Sequence, residues 1–225
     1  MAKKKKAAER TEVSEEKQEV LEELELAPIA SKTEPESKGG KESDVLRSKK
    51  RQPVIGLFAG ERVITEASDD AREFYNQSCF GTVTESGKVE LSLLEALYLM
   101  EKSRLDIKSE AGKKLSSELY VKKSRKAEPN FWIRYCVFRD MRNRGYIIKT
   151  ALKFGADFRV YDRGVKPGED HARWIVFPVH ETSVFTWHEF SAKNRVAHST
   201  KKRLLLAIVD DENDVTYYET RWMRP

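Results

Sequence analysis

Short apolar runs separated by turn residues predict a small α+β domain in the first half of the chain. Two of these runs flank an Ala-Gly-Glu turn, which is typical of a β-hairpin. Ser68 is suited to cap a helix N-terminus, and Ser92 leads a run of strong helix formers. The predicted elements are strands at 54–58, 62–65 and 89–91 and helices at 69–77, 93–100 and 111–120. They indicate a domain over residues 52–125.

The second half of the chain predicts a mixed sheet with helices packed against it, in a domain over residues 126–225. Pro129 fits the first turn of a helix with a broad apolar face. Thr186 and Glu189 have the spacing of a capping box. The continuous apolar run 204–209 is typical of a central strand covered on both faces. The predicted linker lies at 122–126 and the predicted strands at 146–150, 154–161, 172–179, 204–209 and 215–222.

The first 51 residues differ from the rest of the chain, because they lack aromatic residues and carry 13 basic and 12 acidic side chains. Such a segment cannot bury enough apolar surface to offset the entropy lost on ordering, so residues 1–51 are predicted to be a disordered tail. No apolar run follows its basic residues 3–6 as in a secretion signal, and none approaches the ~20 residues of a membrane helix. We therefore expect a soluble, cytoplasmic protein.

Composition is compatible with a nucleic-acid partner and gives no sign of a metal site. The net charge is +5 and the pI is about 9.0, which suits RNA or DNA without identifying either. Cys79 and Cys136 are expected to be buried thiols in a reducing compartment. No Cys/His cluster has the spacing of a zinc site, and no cofactor or metal is expected.

Three residues near predicted strand ends carry side chains that suit RNA cleavage. Tyr161 ends one strand, His171 opens the next after a Gly/Pro loop, and Lys202 precedes the central apolar run. Each residue taken alone is more typical of packing or of a solvated surface than of function. Period-2 alternation places Phe154, Ala156, Phe158 and Val160 on one face of the first strand and Asp157, Arg159 and Tyr161 on the other.

The chemistry of these three side chains is complementary. RNA is cut without metal when its 2′-hydroxyl attacks the adjacent phosphorus, which requires a base, an acid for the departing 5′-oxygen and a cation for the phosphorane charge. Histidine, with a reference pKa of about 6.5, suits the acid, and lysine supplies a compact cation. Tyrosine, with a reference pKa of about 10, acts as a base only if a nearby cation lowers its pKa. Lys202 is the candidate for that cation.

Several segments resemble the tRNA-intron (splicing) endonuclease family. The segments are 139–158, 171–176 and 195–207 with Tyr161 between the first two, and 91–99 is similar to the family's N-terminal domain. The resemblance covers about residues 53–225. It implies a small N-terminal α+β domain followed by a restriction-endonuclease-like mixed-sheet catalytic domain. It also implies excision of introns from precursor tRNA at a helix flanked by two bulges, leaving 2′,3′-cyclic phosphate and 5′-hydroxyl ends.

The resemblance implies a catalytic triad in which Tyr161 is the general base, His171 the general acid and Lys202 the transition-state stabiliser. Lys202 is preferred to Lys201 because the family lysine stands two positions before the Leu-rich strand. His198 is a competing histidine at a helix end, and the family motif does not include it.

The resemblance also implies an RNA clamp and a four-unit assembly. Two arginines of the family stack on a bulged base, and Arg195 fits one of them while Arg221 is the candidate for the other. The strand 215–222 is suited to pair with a copy of itself, and the acidic turn 210–214 is suited to insert into a basic cleft of a neighbouring subunit. Both domains and the complete triad favour a homotetramer that binds precursor tRNA.

Two other classes of function are weighed against this one. A non-catalytic structural subunit of a heterotetrameric splicing endonuclease would be expected to lack triad residues, and this chain keeps all three. A DNA-cutting enzyme of related fold requires clustered carboxylates to hold Mg²⁺, and Asp157 has no evident carboxylate partner in the sequence. Metal-independent RNA cleavage is therefore the favoured function.

Overall fold

The computed structural model describes residues 52–151 and 155–223. These residues form two mixed five-stranded sheets and five helices, which confirms the predicted mixed α+β fold class. The predicted tail at 1–51 lies outside the described residues, as does Phe154. No helix within the described ranges has the length and apolar character needed to cross a membrane.

The first sheet belongs to the N-terminal half and has the strand order β3-β4-β2-β1-β5. Its strands are β1 (Val54–Phe58), β2 (Arg62–Thr65), β3 (Thr82–Val83), β4 (Val89–Ser92) and β5 (Leu105–Lys108), and its helices are α1 (Asp69–Ser78), α2 (Leu93–Glu101) and α3 (Ser117–Ala127). The predicted hairpin is confirmed, because β1 and β2 pair antiparallel. The Ser68 hydroxyl accepts a hydrogen bond from the Ala71 amide, and Ser92 forms a capping box with Glu95.

The predicted helix at 111–120 begins too early, because the observed helix starts at Ser117, and the stretch 122–126 that was predicted to link the two halves is helical. Gly112 has φ +77°, a conformation that no helix interior contains, so a turn lies where the helix was expected. Ser116 is the N-cap of α3, and its hydroxyl accepts a hydrogen bond from the Leu119 amide. The basic residues 122–126 continue this helix, and the Arg125 guanidinium lies over the Trp132 ring.

The second sheet has the strand order β10-β9-β8-β7-β6, with β8 and β9 parallel and the other neighbours antiparallel. Its elements are α4 (Phe131–Asn143), β6 (Ile147–Ala151), β7 (Ala156–Tyr161), β8 (Trp174–His180), α5 (Trp187–Ser199), β9 (Arg203–Val209) and β10 (Val215–Thr220). The predicted capping box of Thr186 and Glu189 is confirmed at the start of α5. Pro129 precedes α4 by two positions and does not lie in its first turn.

Helices cover both faces of the second sheet, which confirms the expectation for the apolar run in β9. Leu205 and Ala207 belong to the large core that contains Phe138 of α4, whereas Leu204 packs with Ala197 of α5. The large core continues without a break into the first sheet and its helices. The site described below is therefore held by strands that are packed on two sides.

The predicted alternation along β7 holds only for its second half. The register shifts between Thr150 and Ala151, so that β7 has one residue more than β6 at this point. Ala156 packs with the smaller core on the α5 side, whereas Phe158 belongs to the large core. Asp157 forms an ion pair with Arg134 of α4 at 3.0 Å. Because of this β-bulge, Ala156 and Asp157 lie on the opposite faces of the sheet from those that the alternation predicted.

Candidate active site

Tyr161, His171 and Lys202 line one cavity of about 380 Å³. The strand register explains this convergence, because Trp174 of β8 is paired with both Val160 of β7 and Arg203 of β9. Tyr161 follows Val160, His171 stands three positions before Trp174, and Lys202 immediately precedes Arg203. One strand end and two strand starts thus meet at a single edge of the sheet.

The three side chains differ in how deeply they are buried. Tyr161 is only 4% exposed and belongs to neither core cluster. His171 is exposed, and its backbone amide donates to Asp170 at 2.6 Å. Lys202 is half-buried and donates from Nζ to the Thr200 carbonyl at 3.0 Å. A buried tyrosine, an exposed histidine and a half-buried lysine therefore line one cavity.

The loop that carries His171 is fastened by its own polar groups and by α1. The Glu169 carboxylate accepts a hydrogen bond from the Lys166 amide at 3.0 Å. The Lys166 ammonium donates to the Asn76 carbonyl of α1 at 3.4 Å. Gly168 has φ +103°, a backbone conformation that suits glycine at this turn. The N-terminal half of the protein thus helps to hold the loop in place.

The structure separates Lys202 from its neighbour Lys201. Lys201 is exposed, has φ +55° and does not line the cavity. The Lys202 amide donates to the Ala197 carbonyl at 2.8 Å, which ties the start of β9 to the end of α5. The left-handed backbone conformation of Lys201 turns the chain, so that Lys202 lines the cavity and Lys201 does not.

Arg195 and Arg221, the two predicted clamp residues, line a second cavity of about 290 Å³. Both guanidinium groups belong to exposed residues. Arg221 donates from Nε to the Glu219 carboxylate at 2.9 Å. The hydrogen bond from the Trp174 indole, together with those from Arg221 and Arg203, lowers the pKa of Glu219 to about 2. Glu219 therefore stays ionised and keeps Arg221 beside the second cavity.

A third cavity, of about 190 Å³, shares Lys202 with the first cavity and Arg221 with the second. His198 and Trp222 also line it, with their ring centroids 4.5 Å apart. The three cavities thus lie in sequence along one surface. His198 borders this surface between the clamp and the triad, although it does not line the triad cavity itself.

Within residues 52–151 and 155–223, no group of three or more His, Cys, Asp or Glu side chains is placed to hold a metal ion. The Asp157 carboxylate is bound by the Arg134 guanidinium, which also contacts Glu128. Burial raises the pKa of Asp157, and Arg134 and Lys193 act against that rise. A carboxylate in this position is suited to an ion pair and not to a Mg²⁺ cluster. Cys79 and Cys136 are buried free thiols, as expected.

Arg159 lines the triad cavity but was not predicted as a site residue. It stands two positions before Tyr161, and its guanidinium lies 5.8 Å from the centroid of the Tyr161 ring. Its place on the same strand face as Tyr161 was the signal that could have identified it.

Two family models match this chain. Residues 131–217 match the catalytic C-terminal domain of the tRNA intron endonucleases. Residues 54–121 match the N-terminal domain of the same family. The first match contains the triad residues and Arg195, whereas Arg221 lies beyond its end. A match over a whole domain assigns no role to a single residue, so the roles of Tyr161, His171 and Lys202 stay predictions.

Several archaeal proteins named tRNA-splicing endonuclease are similar to the chain over most of their length. The protein of Thermococcus onnurineus is 40% identical over 174 residues, which cover 77% of this chain and 99% of that protein. The protein of Methanothermobacter thermautotrophicus is 41% identical over 172 residues, with coverages of 76% and 99%. The protein of Nanoarchaeum equitans is 46% identical over 142 residues, with coverages of 60% and 90%.

Proposed function

The chain belongs to the tRNA intron endonuclease family, and we propose that this endoribonuclease excises introns from precursor tRNA by attack of a 2′-hydroxyl on the adjacent phosphorus. The observation that carries the proposal is the single cavity lined by Tyr161, His171 and Lys202. It offers a base, an acid and a cation within one surface, which is the set of groups that metal-free RNA cleavage requires.

The proposed reaction assigns one task to each residue. Tyr161 acts as the general base and takes the proton of the 2′-hydroxyl on its side-chain oxygen as the bond from O2′ to phosphorus forms. Lys202 stabilises the negative charge of the phosphorane with its ammonium group. His171 donates a proton to the 5′-oxygen as the bond from phosphorus to O5′ breaks. The products are a 2′,3′-cyclic phosphate on one fragment and a 5′-hydroxyl on the other.

Recognition of an unpaired base is the proposed role of the second cavity. Arg195 and Arg221 both line it, and planar guanidinium groups stack on nucleobases. The third cavity connects this clamp to Lys202. If the two arginines hold an unpaired base, the RNA backbone next to that base would lie along the third cavity and reach the triad. An RNA with an unpaired base close to its cleavage site, as in a bulge next to a helix, would therefore be selected. Substrates with a helix flanked by two bulges are therefore the proposed targets.

We expect the purified protein to cut an intron-containing precursor tRNA in excess EDTA. The expected products carry 2′,3′-cyclic phosphate and 5′-hydroxyl ends, because the nucleophile comes from the RNA itself. Gel analysis before and after enzymatic removal of the cyclic phosphate measures this outcome. Activity that disappears in EDTA and returns only with Mg²⁺ would contradict the mechanism.

A matched substrate provides the control for this experiment. A single 2′-deoxy nucleotide at one cleavage site removes the nucleophile and leaves the rest of the RNA unchanged. Cutting should stop at that site and continue at the other site of the same molecule. Cutting that persists at the deoxy site would rule out attack by the 2′-hydroxyl.

Self-association is the proposed assembly state, with four copies in the active enzyme. β10 lies at the edge of the second sheet, and its Tyr218 is 58% exposed, so that this strand is open to pairing with another chain. In the acidic turn, the exposed Asp211 lies 3.2 Å from His180, and Asn213 accepts a hydrogen bond from Trp132. These contacts support the base of the turn, while Glu212 is exposed.

We expect light scattering to give a molar mass about four times the 26.0 kDa of one chain. The protein should have this mass in the absence of RNA, because the edge strand and the acidic turn that are proposed to join the copies both belong to the protein. A monomer that cuts RNA only after a second chain type is added would favour the alternative of a heterotetramer.

A further inference from the structure

Arg159 of β7 is a cation placed between two cavities. It lines the triad cavity together with Tyr161, His171 and Lys202. It also lines a cavity of about 450 Å³ on its other side, between the catalytic sheet and the N-terminal half. Its guanidinium lies 5.8 Å from the centroid of the Tyr161 ring, so its charge is next to the proposed base.

The charge of Arg159 is not neutralised by any acidic side chain of the residues that the structure describes. Lys149 lies directly opposite on β6 and has a different environment, because Glu95 binds it at 3.1 Å. The two carboxylates of the triad cavity are engaged elsewhere, since Glu169 accepts from the Lys166 amide and Asp170 accepts from the His171 amide.

The Nε group of Arg159 is buried and has no hydrogen-bond partner among residues 52–151 and 155–223. Buried polar groups in folded proteins nearly always have a partner, and a site that binds a ligand is one of the reasons for an exception. The structure thus holds a guanidinium whose fork of N–H donors is not committed to a protein carboxylate. Such a fork matches the oxygen atoms of a phosphodiester.

We infer that Arg159 is a further substrate-binding residue of this enzyme, and that its guanidinium contacts a non-bridging oxygen of the phosphodiester that is cleaved. The inference rests on the proposed function of the triad cavity. Lys202 and Arg159 would then supply two cations to one phosphate. A second fixed cation stabilises the dianionic phosphorane more than the monoanionic substrate, so its contribution falls mainly on kcat.

Replacement of Arg159 tests this contact. We expect Arg159→Ala to lower kcat for precursor tRNA about 10²-fold, with Arg159→Lys intermediate. Millimolar guanidinium ion should restore part of the activity of the alanine variant and should not stimulate the wild type. Arg163→Ala is the matched control, because Arg163 lies in the nearby loop, stacks on Tyr146 and does not line the triad cavity. It should retain wild-type activity.

A binding measurement separates this inference from the triad mechanism. Affinity for a precursor with 2′-deoxy nucleotides at both cleavage sites is measured over a range of salt concentrations. Loss of one phosphate contact should reduce the slope of log K against log salt by about one in Arg159→Ala. A merely structural role for Arg159 would lower stability without guanidinium rescue or a change of slope.

The outcomes are distinguishable. Wild-type cleavage with cyclic phosphate ends, combined with unchanged kcat and unchanged slope in Arg159→Ala, would overturn the role of Arg159 and leave the triad proposal standing. A wild type that leaves other ends would overturn the triad mechanism, while the salt slope still decides whether Arg159 contacts phosphate. Thermal unfolding shows whether Arg159→Ala is folded. If Arg159→Ala is unfolded, the same measurements are made on Arg159→Gln, which keeps the aliphatic part of the side chain and its packing.

Discussion

Replacement of His171 by alanine should lower kcat for precursor tRNA by about 10²–10⁴-fold and should change KM little. The physical reason is that the departing 5′-oxygen is a strong base and leaves poorly without a proton. The His171 side chain is exposed at the mouth of the cavity, so its removal should leave the fold and the RNA-binding surface intact. Single-turnover cleavage of a precursor with one labelled end measures the chemical step.

A substrate with sulfur in place of the leaving 5′-oxygen identifies the missing group as the acid. A thiol has a reference pKa of about 8.5, so a thiolate leaves without protonation. His171→Ala should therefore cut the sulfur substrate at nearly the wild-type rate while it cuts the oxygen substrate slowly. Lys202→Ala should remain slow on both substrates, because the phosphorane charge is the same in each. Equal losses on both substrates would mean that His171 does not act as the acid.

Two other histidines serve as controls for this experiment. His188 is exposed on α5 and lines none of the four cavities described above, so His188→Ala should retain full activity. His198 borders the surface between the clamp and Lys202, and His198→Ala tests whether it is the acid in place of His171. If His198→Ala were slow on the oxygen substrate and fast on the sulfur substrate, while His171→Ala kept full activity, His198 and not His171 would be the general acid.

Helix starts were predictable from the sequence because their chemistry is local. A cap requires an oxygen at one position and a free amide two or three positions later, and both lie within the same short segment. The starts of α1, α2 and α5 are accordingly where Ser68, Ser92 and Thr186 indicated. The continuous apolar run in β9 was equally informative, since burial on both faces requires apolar residues at consecutive positions.

Elements that depend on distant partners were not predictable in the same way. β5 was missed because its four residues become a strand by pairing with β1, about 50 positions earlier in the chain. β3 has two residues, too few for a recognisable period. The bulge in β7 is a matter of register against β6, and a strand's own sequence does not report its register. Asp157 was assigned to the wrong face for this reason.

Residue types alone did not establish the candidate site, and the resemblance to a known family connected its members. Tyr161, His171 and Lys202 belong to segments that are separated by ten and thirty-one positions, and nothing in their spacing shows that two strand starts and a strand end meet. The strand register supplies that information. Arg159 shares a strand face with Tyr161, but this signal does not distinguish it from other polar residues of the face, and the missing hydrogen-bond partner of its buried Nε among the described residues is visible only in the three-dimensional arrangement.

Lys149→Met should destabilise the protein by about 3–5 kcal/mol at neutral pH, the largest stability effect that we expect from a single polar replacement. Lys149 of β6 and Glu95 of α2 form an ion pair at 3.1 Å, with side-chain exposures of 16% and 7%. The pair joins the N-terminal half to the catalytic sheet, and Glu95 also accepts hydrogen bonds from the amides of Gly81 and Ser92. Removal of the lysine leaves a buried carboxylate without its cation. Urea unfolding measures the loss, and the exposed Lys88 provides the matched control Lys88→Met.

The pH dependence of this loss distinguishes an unpaired charge from a simple packing defect. Burial raises the pKa of Glu95, but the Lys149 charge and the amide hydrogen bonds outweigh it, so the pKa lies below its ordinary value of 4.5. In the wild type, the carboxylate therefore stabilises the fold above about pH 4.5, and this stabilisation is lost as the pH falls through the pKa of the folded state. In Lys149→Met, burial dominates and raises the pKa of Glu95, so protonation relieves the defect as the pH falls. The difference in unfolding free energy between wild type and variant should shrink toward pH 4.5, and a difference that is constant with pH would indicate lost packing alone.

The double variant Glu95→Gln/Lys149→Met completes the test. The Gly81 amide donates to one carboxylate oxygen of Glu95 and the Ser92 amide donates to the other. Glutamine therefore keeps an acceptor for only one of these amides, but it removes the charge that burial desolvates. The double variant should therefore be more stable than Lys149→Met at neutral pH, because the uncompensated charge, and not the absence of the pair, is the main source of the loss. A double variant that loses the sum of the two single effects would show that Glu95 and Lys149 act independently. The same comparison bears on catalysis, since Lys149 lies opposite Arg159 in the sheet and Glu95 lines the same cavity as Arg159, so that Lys149→Met leaves an unpaired carboxylate on a wall that this arginine shares. Cleavage by Lys149→Met should then be weaker than cleavage by the double variant, in the same order as their stabilities.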